Sequence, residues 1–62
     1  MGSIRIRIIW RSDMGDSGHG EYMTYEEFKI LVGKTPPELV QELNDRHPRI
    51  YHWIEPEPYI AL

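Results

Sequence analysis

The sequence predicts a small α+β domain, with β-hairpin-like strands packed on one main helix and closed by a C-terminal strand, in the order ββαβ. Three observations carry that expectation. Residues 4–11 alternate apolar and polar with a period of two, residues 35–48 carry both ends of a helix, and residues 49–56 return to aromatic and β-branched residues. With 62 residues and no cysteine, the chain is expected to form one thin-cored domain without disulfides or cysteine-zinc sites.

The first strand has Ile4, Ile6, Ile8 and Trp10 on one face and Arg5, Arg7, Ile9 and Arg11 on the other. SDMGDSGHG, residues 12–20, is rich in Gly, Asp and Ser and reads as a flexible loop.

Residues 24–32 support two readings. As part of a strand over 21–32 they place Phe28, Ile30 and Val32 against the apolar face of strand 1, and Arg5, Arg7 and Arg11 come opposite Glu21 and Glu27. As a helix they have Thr24 as N-cap, Glu27 as its capping-box partner and Gly33 just past the end. The helix groups Phe28, Leu31 and Val32 but strands Ile30 on the polar side. The strand reading accounts for more apolar residues and is the favoured expectation. The alternative is a helix-turn-helix flanked by strands.

In KTPPELVQELNDRHP, Thr35 is the N-cap, Pro36 occupies N1, where its missing N–H costs nothing, and Glu38 completes a second capping box. Leu39, Val40 and Leu43 form the inward stripe, Glu42 can pair with Arg46 one turn on, and Pro48 ends the element. The last strand places Ile50, His52 and Ile54 on one face and Tyr51 and Trp53 on the other. EPEP then points to an extended tail over 55–62 outside the hydrogen-bonded ladder.

Two resemblances bear on function. TYEEFKILVGKTPPELVQEL, residues 24–43, resembles the YEEFA-LVG-S-P pattern of helix-turn-helix regulators, which implies duplex DNA as partner. It departs at Lys29, where that family places a small residue at the helix crossing. The ββαβ order is similar to that of β-grasp domains, in element order alone.

Charge separates the functional classes. Net charge is −3; three of the seven basic residues lie in residues 1–12, which hold no acid, and the other four face all ten acids, a net of −6 over residues 13–62. Phosphate affinity needs a basic stripe, so nucleic acid is the less favoured partner. The longest apolar runs are too short for a membrane span, the N-terminal stretch lacks a signal-peptide h-region, and a cytoplasmic location is expected.

The motifs that resemble chemical sites have simpler explanations. GDSGHG resembles the segment around the nucleophilic serine of trypsin-like proteases, yet a polar turn accounts for Ser17 and His19. GKT at 33–35 matches the end of a P-loop, but Phe28 stands where that loop requires glycine. Asp13, Asp16, His19 and Glu21 match no EF-hand or zinc spacing. No catalytic, cofactor or metal residue is therefore expected.

The remaining signal is aromatic. Seven aromatic residues exceed what a thin core hides, and Tyr51, Trp53 and Tyr59 cluster near the C-terminus. Trp and Tyr are frequent interface anchors. The expectation is a non-enzymatic, acidic protein-binding module, an adaptor or inhibitor of the kind phages and mobile elements encode, with homodimerisation as a further use of the same edge. The candidate contacts are Tyr51, Trp53 and Tyr59 for affinity, and Glu38, Glu42 and Asp45 on the helix face for steering.

Overall fold

The structure is a computed structural model and describes residues 4–58. Its elements are β1 (Arg5–Ser12), β2 (Ser17–His19), β3 (Met23–Thr24), α1 (Tyr25–Val32), α2 (Pro36–Arg46) and β4 (Ile50–Pro56). The domain is α+β, as the two ends of the sequence predict. β1 is the centre of an antiparallel sheet, with β4 on one side and the short β2 and β3 sharing the other.

The period-two pattern sorts the two faces. Registered pairs point to the same face of an antiparallel sheet, so Ile6/Pro56, Ile8/Ile54 and Trp10/His52 lie on one side and Arg7/Glu55, Ile9/Trp53 and Arg11/Tyr51 on the other. Ile6, His52, Phe28 of α1 and Pro36 of α2 are buried, which places the helices on the first side. The Cα envelope measures 13 Å across its thinnest direction, enough for a sheet and one helical layer but not for a third.

Residues 25–32 are a helix, which corrects the favoured strand reading. Thr24 Oγ1 accepts from the Glu27 N–H at 3.1 Å and Glu27 Oε1 accepts from the Thr24 N–H at 3.2 Å. Gly33 closes the helix at φ +83°, a left-handed conformation natural to glycine. The local capping signals prevail over the apolar alternation, and only Met23 and Thr24 of this region pair with β1. Of the apolar residues in α1, Phe28 is buried, while Ile30 and Leu31 are 86% and 71% exposed, so the expected grouping of Leu31 with Phe28 does not form.

The 12–20 segment, expected as a loop, forms a hydrogen-bonded turn and the short strand β2. Ser12 N–H donates to the Asp16 carbonyl at 2.7 Å, and Ser12 Oγ accepts from the N–H groups of Met14 and Asp16. This tight turn feeds β2, where Gly18 faces Trp10. A Cβ on Gly18 would sit 2.7 Å from the indole, so the missing side chain is the space Trp10 occupies.

EPEP also differs from expectation, because β4 runs through Pro56. Glu57 N–H donates to the Arg5 carbonyl at 2.8 Å and Asp13 N–H to the Arg49 carbonyl at 3.0 Å. Odd positions of the two strands therefore bond each other, and even positions of β4 turn their backbone groups outward. Pro56 falls on an outward position, where no ladder N–H is required. Residues 59–62 of the expected tail, Tyr59 among them, lie outside the described residues.

α2 matches its expected signals. Glu38 N–H donates to Thr35 Oγ1, Pro36 occupies N1, and Arg46 pairs with Glu42 at 2.6 Å. Leu39, Val40 and Leu43 are half-buried, and His47 is an exposed C-cap.

Candidate interaction surface

The sheet face away from the helices carries a row of cross-strand pairs between β1 and β4. At one end Arg5 pairs with Glu57, and Arg7 Nη2 lies 3.0 Å from Glu55 Oε1. These carboxylates replace Glu21 and Glu27 as the partners of the strand-1 arginines. The register explains the change: β4 runs the length of β1, whereas β3 meets only Arg5 and Ile6. The Arg7 guanidinium also stacks on Tyr22, 4.7 Å from the ring centroid.

In the middle of the row Ile9 faces Trp53, and beyond it Arg11 faces Tyr51. Tyr51 and Trp53, two residues apart and therefore on one face, stack with centroids 5.5 Å apart and planes inclined by 27°. Tyr51 is 64% exposed and Trp53 half-buried. Trp53 is thus not part of the core between sheet and helices. Together with Arg11, Asp13, Pro48 and Arg49 the two rings line an open recess of about 700 Å³.

The acidic candidates occupy the outer face of α2. Glu38, Glu42 and Asp45 are grouped there with Gln41 and Arg46. Their charges are not equally available. Glu42 is held by both Lys34 and Arg46. Glu38 is tied to Thr35, whose hydroxyl donates to it at 2.7 Å and, with the Thr35 backbone N–H, holds its carboxyl below the usual range. Asp45 takes part in no ion pair among the described residues. Asp45 also borders a groove between α2 and β4 that Tyr51 and Trp53 flank, so one acid of the predicted set approaches the aromatic pair.

Sequence reasoning missed Arg11 and Arg49 as members of the site. The signal for Arg11 was its place on the same strand face as Arg5 and Arg7; its different environment depends on the register with β4. It also missed the state of the β4 edge. Ile50 N–H donates to the His47 carbonyl, the Asn44 side chain takes both backbone groups of His52, and Pro56 has no N–H. Strand pairing of two copies along β4 would have to displace Asn44.

No group of three His, Asp or Glu side chains is placed to share a metal ion among the described residues. Among the described residues no helix is long and apolar enough to cross a membrane. No protein-family model matches the chain, and no curated protein or solved structure matches it at significant similarity.

Proposed function

We propose that this chain is a non-enzymatic protein-binding module, an adaptor or inhibitor that docks a partner protein on the open face of its sheet. The observation that carries the reading is the Tyr51–Trp53 stack, held by the β4 register on a face that no helix covers among the described residues. Stacked rings in adjacent same-face positions are rigid and present apolar area at little entropic cost, the character of an energetic anchor. The acidic face of α2, chiefly Glu38 and Asp45, supports a steering role. A cytoplasmic setting fits a chain without cysteine.

A second reading, a helix-turn-helix DNA-binding regulator, is favoured by one observation: α1 and α2 are joined through a left-handed Gly33. Against it, the outward face of α2 presents Glu38, Glu42 and Asp45 where a DNA-reading helix presents bases. Lys29, at the position where that family buries a small residue, is exposed.

Affinity capture with the wild-type chain and with Tyr51→Ala/Trp53→Ala, alongside titration of labelled duplex DNA, separates the two. The protein-binding reading expects a captured protein that the double variant loses, and negligible duplex binding at about 0.15 M salt. Tight duplex binding that weakens steeply with salt decides for the regulator.

A further inference from the structure

We infer that the partner segment carries a carboxylate beside an apolar or aromatic side chain, and that Arg11 and Arg49 receive that carboxylate while the Tyr51–Trp53 stack receives its neighbour. This deepens the protein-binding reading and rests on it. β1 has three arginines on its open face. Arg5 and Arg7 are matched by Glu57 and Glu55 across the strand pair. Arg11 is not: its partners in register are Tyr51 on one side and Ser17 on the other, neither of them an acid. Arg49 lies one step further along the row, bonded through its backbone to Asp13. Neither Arg11 nor Arg49 takes part in an ion pair among the described residues, and both are exposed. They line the same recess as the aromatic pair.

The recess thus holds two guanidinium groups, neither in an ion pair among the described residues, against the single carboxylate of Asp13, a local excess of positive charge in a chain whose net charge is negative. A guanidinium presents planar, paired donors that match a carboxylate and is weakly hydrated, so it is suited to an interface ion pair beside aromatic rings. A nucleic-acid strand fits the face less well. Its phosphates would run past Glu55 and Glu57, which already occupy Arg7 and Arg5 and would repel them. The charge pattern matches an isolated anion next to an apolar group, as an acidic protein segment supplies.

The test uses the full chain and three probes: the capped peptide GEFDLEG, its neutral counterpart GQFNLQG, and an oligothymidylate of about 12 nucleotides, within the usual site size for single-strand binders. Binding is followed by amide chemical shifts. The inference expects shifts concentrated at residues 9–13 and 49–53, and a Kd for the acidic peptide about fivefold below that of the neutral one, the upper end for an exposed ion pair. Arg11→Gln/Arg49→Gln should reduce that preference to less than about twofold. Equal binding of the two peptides at Tyr51 and Trp53 overturns the carboxylate inference and leaves the protein-binding reading standing. Tighter binding of the oligothymidylate overturns both, as does the absence of shifts with either peptide.

Discussion

The Asn44 side chain bridges the backbone of His52: Nδ2 donates to the His52 carbonyl at 3.0 Å, and Oδ1 accepts from the His52 N–H at 2.7 Å. One amide of α2 thereby stands where a neighbouring strand would be. Asn44→Ala leaves both groups without partners beside the core, so a loss of about 1–3 kcal/mol is expected in urea unfolding. The uncovered edge should also promote self-association at high concentration, measured by sedimentation. Unchanged stability would mean that water replaces the amide at no cost.

Gly18 and Trp10 make a second specific contact. Gly18→Ala places a Cβ against the indole, and moving a large ring in a thin core costs about 1–3 kcal/mol. Gly20→Ala is the matched control, because among the described residues nothing beyond its chain neighbours lies within 4 Å of its added Cβ and its φ is not left-handed. Thermal melts should show a clear drop for the first and a change within about 0.5 kcal/mol for the second.

The helix over 25–32 makes an opposed pair of expectations. Thr24→Ala removes a cap and should cost about 1 kcal/mol. Ile30→Glu alters an exposed position and should change stability by no more than about 0.5 kcal/mol. In a strand with Ile30 facing β1 the second change would unfold the domain. Chemical denaturation of the two variants distinguishes these outcomes.

This segment shows how far the sequence could be read. Its local signals, Thr24, Glu27 and Gly33, were all present and all correct. The apolar run Ile30-Leu31-Val32 argued for burial, and the fold leaves much of it in solvent. The ends of α2 and the two faces of β1 and β4 were legible because caps and period-two patterning are local. The acids that answer Arg5 and Arg7 were not, because they depend on a register spanning nearly the whole chain. The Asn44–His52 bridge was equally hidden, since any polar residue on α2 could have faced that edge. Of the candidate site, Tyr51 and Trp53 share one face as expected, and Glu38 and Glu42 lie apart from them on α2.

Glu38 gives stability a specific pH dependence. Its carboxyl is held below the ordinary range first by the Thr35 hydroxyl and then by the Thr35 backbone N–H. The folded state therefore favours the carboxylate. That contribution is complete above the unfolded glutamate pKa of about 4.3 and is lost as the pH falls through the lower folded value. Glu38→Gln keeps the capping geometry without titrating, so its acid-side melting curve should be flatter than that of the wild type. An identical acid slope in the two proteins would remove Glu38 as a contributor.

If Trp53 anchors a partner on the open face of the sheet, its removal separates binding from folding. The most direct measurement is the affinity of Trp53→Ala for the captured partner, beside its urea unfolding curve. An anchor outside the core predicts a cooperative transition with the wild-type m-value and a Kd raised about 30-fold, equivalent to roughly 2 kcal/mol for an aromatic anchor. Loss of the cooperative transition, or a folded variant that binds as tightly as the wild type, would rule out Trp53 as that anchor.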